Sequence, residues 1–310
     1  EAVGWAIPMA TDIAFALGVV SLLGSRVPSS VKVFLTTLAI VDDLGAVIVI
    51  ALFYTSEISV VNVLLGLGFL LLMFIGNKLG VKNLFFYALL GIAGVWVCFL
   101  LSGVHATIAA VLAAMTIPAD SEIDENTFLH RVRKLTRRFD KAESNDVRTL
   151  EKEQVEILAH IQKDTTTAIP PLQLIEHHLN PIVTFIVLPV FAFANAGVNL
   201  VDIDWSAVFA TNITIGVVLG LLVGKPLGVF GVSWLLNKFG FAKMPADMSN
   251  RQLMGLGFLA SIGFTMSMFV STLAFQTEMM LTQAKIGIFM ASILGGLIGY
   301  KLLKSSSNKN

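Results

Sequence analysis

The chain has 310 residues, of which 55% are hydrophobic and only 14% charged, and its 21 Lys and Arg balance 21 Asp and Glu. Its mean hydropathy is +0.81. Water-soluble domains carry about 25% charged residues, so the composition excludes an ordinary soluble globular protein and predicts an outer surface facing lipid. With no basic excess a nucleic-acid partner is not expected, and the single cysteine, Cys98, has no partner for an internal disulfide.

A membrane-crossing helix needs about 20 apolar residues, and such stretches recur along the chain. Residues 5–24 form a first span interrupted by Pro8, Thr11 and Asp12, and residues 33–54 a second whose only charges are Asp42 and Asp43. Residues 58–76 make a third. From Asn83 to Ala119 no Asp, Glu, Lys or Arg occurs; Ser102-Gly103 divides this run into 84–101 and a shorter 104–118. Residues 120–164 then hold 20 of the 42 charged residues. Within them Phe128, Val132, Leu135 and Phe139, and later Leu150, Ile157, Leu158 and Ile161, recur at helical spacing, which predicts a pair of amphipathic helices outside the bilayer. Further spans follow at 179–196, at 206–236 with Lys225 as its one charge, at 252–275 with several Gly and Ser, and at 283–303. The expected protein is all-α and polytopic, with nine spans. Its membrane parts cover 1–118 and 171–303, separated by a charged insert over 119–170 and followed by a tail at 304–310.

Nineteen of the 21 basic residues fall after alternate spans, the exceptions being Lys225 and Lys285. The intervening loops, around Glu57, Ser102, Asp202 and Glu278, are almost free of them. Cytoplasmic loops retain Lys and Arg, so the C-terminus is expected inside. Nine spans then place Glu1 outside, and an odd number of further helices upstream would return the N-terminus to the cytoplasm.

An ionisable side chain inside a span costs about 2.5–3.5 kcal/mol on insertion scales. Asp12, Asp42, Asp43 and Lys225 are therefore the site candidates. Asp42 and Asp43 project about 100° apart on their helix, so one can contact a cation while the other turns toward a second helix. Mutual repulsion and burial both favour their protonated forms, as a carrier needs if its carboxylates hold protons in one state and a cation in another. Lys225 requires an anion or helix C-terminal carbonyls, and Asp42 is one partner for it. Pro8 with Thr11-Asp12, and the run Gly255, Gly257, Ser261, Gly263, Thr265 and Ser267, weaken two spans in corresponding places. That pattern points to an inverted-repeat transporter with two broken helices. Asp12 and Lys225 suit the charges of the half-helix ends, and Thr11 can lend oxygen to a hard cation. His105, His177 and His178 lie at helix ends, where a histidine more often packs at an interface than titrates in service of function. No Cys/His metal spacing, phosphate-binding loop or nucleophile triad occurs, so neither a cofactor nor covalent chemistry is expected.

Ile7 to Ala16 (IPMATDIAFA), Leu38 to Gly45 (LAIVDDLG), Ser102 to Thr107 (SGVHAT), Leu188 to Gly197 (LPVFAFANAG), Gly224 to Gly228 (GKPLG) and Gly263 to Met268 (GFTMSM) closely resemble the NhaA family of bacterial sodium/proton antiporters. The resemblance runs over nearly the whole chain except 120–170. It implies an inner-membrane protein that expels Na⁺ or Li⁺ in exchange for protons, electrogenically, by alternating access, and so contributes to pH and sodium homeostasis. It also implies that Asp43 is the essential carrier of cation and proton, with Asp42 its partner. Lys225 would pair with Asp42 and compensate the crossing helix ends, while Asp12 and Thr11 would belong to the unwound part of the other crossing helix. Glu176 resembles a cytoplasmic glutamate of pH activation, and His105 is a second candidate for pH regulation. The family has twelve helices, so the resemblance leaves the first three outside this sequence, together with the hairpin used for dimerisation. A homodimer is compatible with it. Gln173 and Leu174 stand where some members carry basic residues.

Two other classes of protein also place carboxylates within membrane spans. A sodium-coupled symporter on the same architecture would move cation without changing pH. An intramembrane aspartyl protease needs two carboxylates from different helices facing one bond, which the adjacent placement of Asp42 and Asp43 disfavours.

Overall fold

The computed structural model describes residues 2–54, 58–142, 149–197, 211–245 and 247–307, and among them every regular element is a helix. Expectations for the loops at Glu57 and Asp202, for the start of the seventh span at 206–210 and for the last residues of the tail lie outside the described residues. Among the described residues seven helices are long and apolar enough to cross a membrane, and the pair Asn250–Ala260 and Phe264–Ala274, bent by 44° at its break, is apolar enough to make an eighth if it forms one span. The expected span at 104–118 is the apolar helix Ala106–Thr116 of 11 residues. At 1.5 Å per residue it reaches about 16 Å, roughly half a bilayer core.

The chain forms two compact units, residues 1–55 with 184–310, and residues 56–183. In the first, a 3₁₀ helix over Ala2–Met9 contains Pro8, which offers no amide to a helix. After an unwound stretch, α1 (Ile13–Ser21) starts from Asp12 as its N-cap. α2 (Ser29–Phe53) follows, then, later in the chain, α9 (Asn212–Lys238), α10 (Asn250–Ala260), α11 (Phe264–Ala274) and α12 (Glu278–Ser307). These helices close in on one another through glycine. A Cβ on Gly257 of α10 would stand 3.0 Å from the Pro226 backbone of α9, and one on Gly299 of α12 would stand 2.9 Å from the Gly255 carbonyl. Two apolar cores result, one around Ile7, Leu221, Met268 and Ile288, the other around Ala16, Leu35, Leu256 and Leu259.

In the second unit, α3 (Val60–Lys78), α4 (Leu84–Ser102) and α5 (Ala106–Thr116) pack around Met73, Tyr87, Val95, Phe99 and Ala109. α3 and α4 interlock by laying phenylalanine on glycine. Phe99 covers Gly66, Phe69 covers Gly94 and Phe86 covers Gly76, each ring carbon 2.7 Å from where a Cβ would be. The charged insert is a helical hairpin, α6 (Glu125–Lys141) and α7 (Lys152–Ala168). Asp124 caps α6, and the Thr127 hydroxyl at 2.5 Å and amide at 3.2 Å hold its carboxyl below the usual range. Phe128, Val132, Leu135 and Phe139 form a half-buried seam as the spacing predicts, but the second stripe differs. Ile157 is buried and Ile161 half-buried as expected, but Leu150 and Leu158 are exposed, and Gln154 is buried in their place. Leu150 precedes the helix, and Leu158 stands about 100° round from Ile157, off the seam. α8 (Pro171–Ala196) begins in this unit.

Candidate cation site

The buried residues of α2 are Val31, Leu35, Ala39, Ala46 and Ile50. These mark one face of the helix, and the missing turn between Ala39 and Ala46 is where Asp42 and Asp43 stand. Both acids are half-buried. They replace apolar contacts with charge in the middle of a packed stripe, which demands partners.

Those partners come from backbone that is not helical. Between the 3₁₀ helix and α1 the chain unwinds, and the Asp12 amide donates to the Ile262 carbonyl at 2.7 Å, joining this break to the one between α10 and α11. Asp12 is 2% exposed. Its Oδ1 accepts from the Phe15 amide at 3.1 Å, and its Oδ2 accepts from the Thr265 amide at 3.0 Å and hydroxyl at 2.5 Å. One carboxylate thus sits at the N-terminal ends of two half-helices, α1 and α11, where unsatisfied amides concentrate positive charge.

Thr11, fully buried, lies with its Oγ1 2.9 Å from Asp42 Oδ2 and 3.0 Å from the carbonyl of Ala260, the last residue of α10. A hydroxyl has one proton. It serves the carboxylate or the helix-end carbonyl, not both, unless Asp42 is protonated and donates back. Lys225 Nζ, inside α9, stands 3.2 Å from the same Asp42 Oδ2 and donates at 2.6 Å to the carbonyl of Met9, the end of the 3₁₀ helix. Asp43 is placed differently. It lies within electrostatic reach of Lys225, Asp42 and Asp12, yet its Oδ1 is buried and receives no hydrogen bond from the described residues. Leaving a buried polar atom unsatisfied costs about 1–3 kcal/mol, more if charged.

Thr11, Asp12, Asp42, Asp43 and Lys225 are therefore brought together within one unit. Glu176 and His105 belong to the other: Glu176 is exposed on α8, and His105 is the N-cap of α5, with Nδ1 2.9 Å from Thr107 Oγ1. Asp12, the acid outside α2 within electrostatic reach of Asp43, is engaged by three donors, so it does not form with the pair the facing carboxylates of a protease.

Sequence reasoning did not assign several participants. Thr265 was read only as one of the residues that weaken its span, not as a partner of Asp12, and the Met9 and Ala260 carbonyls are backbone, invisible to residue type. Lys285 was legible only as an exception to the charge sidedness. It is 7% exposed and donates at 2.9 Å to the carbonyl of Gly197, which closes α8. A charge within an apolar run was the available signal.

Comparison with known proteins bears on this geometry. The sequence model of the family described as Na⁺/H⁺ antiporter 1 matches residues 1–303. Na⁺/H⁺ antiporter NhaA 1 of Psychromonas ingrahamii is 45% identical over 303 residues, covering 98% of this chain and 69% of that protein. Na⁺/H⁺ antiporter NhaA of Koribacter versatilis is 45% identical over 300 residues, covering 97% and 64%, and that of Phocaeicola vulgatus 44% over 302 residues, covering 97% and 67%. The chain spans about two thirds of the length of the curated relatives it matches. Their names are those of antiporters, which are secondary transporters and not enzymes.

Proposed function

The chain belongs to the Na⁺/H⁺ antiporter 1 family, and from that premise we propose that it carries the exchange site of an electrogenic Na⁺/H⁺ antiporter of a bacterial inner membrane, with its C-terminus in the cytoplasm. It is a multi-pass membrane protein. The observation that supports the reading best is the unequal state of two adjacent acids: Asp42 is tied to Lys225 and Thr11, while the buried Oδ1 of Asp43 has no donor among the described residues.

In this reading Asp43 presents the oxygen that takes the cation or a proton. Na⁺ or Li⁺, hard ions that prefer oxygen, would be held by Asp43 together with Asp42 and the Thr11 hydroxyl. Engaging Asp42 draws it from Lys225, which retains the Met9 carbonyl. Two acids take up two protons or one monovalent cation, so one turnover moves one net charge. Because Thr11 and Lys225, the two partners of Asp42, each also hold a helix-end carbonyl, a change at the carboxylates is felt as a change in helix-end bonding. That couples occupancy to alternating access. Asp12 and Lys225 act by compensating the half-helix ends. Glu176 and His105 remain candidates for pH regulation.

The test uses everted membrane vesicles containing the protein and a fluorescent probe of the pH gradient. Added Na⁺ should collapse the gradient, and Asp43→Asn should abolish the response. Cation flux without any change in pH would instead favour a sodium-coupled symporter, and an undiminished response in Asp43→Asn would remove the proposed carrier.

A further inference from the structure

The hairpin α6–α7 holds the densest charge in the chain, and the structure sorts that charge by face. On α6 the seam residues Phe128, Val132, Leu135 and Phe139 are half-buried, as is Thr127 beside the N-cap. Beside the seam, Arg131 pairs with Asp164 at 3.3 Å and Arg138 with Glu153 at 3.8 Å, both across to α7. His130, Arg133, Lys134, Arg137 and Lys141 remain. All five are exposed, and none is in an ion pair with a described residue. At about 100° per residue they occupy an arc of roughly 100° directly opposite the seam. No acidic and no apolar residue falls inside that arc, although Asp140 borders it.

The hairpin is short-tethered at both ends to apolar helices. α5 ends at Thr116 and α6 starts at Glu125, while α7 ends at Ala168 and α8 starts at Pro171. The base is pinned as well. Lys82 donates to the Asp120 and Ser121 carbonyls at 2.8 and 2.7 Å, the Glu122 amide donates to Thr167 at 3.2 Å, and the Leu172 amide to Pro118 at 3.2 Å. A helix of 17 residues extends about 25 Å, so the basic arc is confined to the neighbourhood of a membrane surface.

We propose that the outer face of α6 binds the anionic phospholipid headgroups of the bilayer in which the chain sits. Guanidinium and ammonium groups match headgroup phosphates. A surface with no apolar residue lacks what the core of a protein–protein contact uses. The bilayer is also the one polyanion that the tether holds permanently at high local concentration. The proposal is independent of the transport reading, since it concerns another unit of the chain and another chemistry.

The experiment places a fluorescent donor on the distal half of α6, at Thr136→Cys in a Cys98→Ser background. The protein is reconstituted into vesicles of phosphatidylcholine alone, or of equal parts phosphatidylcholine and phosphatidylglycerol, each with a trace of headgroup-labelled acceptor lipid. Energy transfer should be higher in the phosphatidylglycerol vesicles and should fall as KCl is raised, because screening shortens the reach of surface charge. Each basic residue near an anionic surface contributes roughly a five-fold preference. The exposed triple reversal Arg133→Glu, Lys134→Glu, Arg137→Glu should therefore lower the docked population at least about ten-fold, while Lys163→Glu on α7 should not. Equal transfer in the two lipid compositions would overturn the proposal. So would a triple variant that keeps the composition dependence, or transfer that rises only when a soluble acidic protein is added.

Discussion

The carboxylate of Asp12 holds Thr265 by both amide and hydroxyl, at 3.0 and 2.5 Å, while its other oxygen holds the Phe15 amide at 3.1 Å. Two helices broken in mid-span are thereby capped by one side chain. Hydrogen bonds to charged groups contribute about 1.5–3 kcal/mol each. Thr265→Val keeps the amide bond and removes one donor, so it should cost about that much. Asp12→Ala removes the acceptor for all three donors and should cost clearly more. Thermal unfolding of the detergent-solubilised variants checks the order; equal melting temperatures would mean that the shared cap contributes nothing.

Lys225 and Asp42 form the one ion pair among the described residues that lies within membrane-length helices. Breaking a buried pair from one side leaves an uncompensated charge and costs about 3–5 kcal/mol, whereas removing both partners is far milder. Lys225→Met should therefore destabilise strongly, and Asp42→Asn in the same chain should restore much of the loss. The restoration will be incomplete, because Lys225 also holds the Met9 carbonyl at 2.6 Å. A double-mutant cycle on unfolding free energies measures the coupling, and additive single effects would contradict the pairing.

What could be read from the sequence follows from what a membrane makes expensive. Asp12, Asp42, Asp43 and Lys225 stood out because each is charged within an apolar run, and Thr11 because it sits beside Pro8 and Asp12. The structure gathers all five. Thr265 was read only as weakening its own span because an uncharged hydroxyl is cheap in a helix, and its bond to Asp12 depends on a residue at a separation of 253. The Ala260 and Met9 carbonyls belong to helix ends, so their exposure depends on where two helices break and not on which residues stand there. The seam of α7 shows the same limit on a smaller scale. Leu158 is apolar and at helical spacing, yet it is 42% exposed, because its neighbour Ile157 takes the buried position.

Thr11 offers one hydroxyl proton to two acceptors, Asp42 at 2.9 Å and Ala260 at 3.0 Å. Thr11→Ser preserves the hydroxyl and should keep Na⁺-dependent activity near its normal level. Thr11→Val is nearly the same shape and should cost about 1 kcal/mol in stability for the lost bond. On the proposed role of Thr11 as a cation oxygen, the Val variant should also raise the apparent KM for Na⁺ by roughly ten-fold, the equivalent of about 1.4 kcal/mol. A Val variant with unchanged KM would confine Thr11 to helix-end bonding.

Asp43 lends itself to a test that separates binding from folding. Its buried Oδ1 has no donor among the described residues, so a charge there is a burden on the empty protein. Asp43→Asn removes the charge without changing the shape, and it should leave the sodium-free melting temperature unchanged or raise it. A ligand that binds only the folded state stabilises it by about 2.7 kcal/mol at one hundred times its Kd. Raising NaCl at constant ionic strength, with choline chloride as the balancing salt, should therefore raise the melting temperature of the original chain and leave that of Asp43→Asn flat. If both proteins respond to Na⁺ alike, the cation binds elsewhere; if the variant is less stable without Na⁺, Oδ1 of Asp43 has a structural partner and the site has been misassigned.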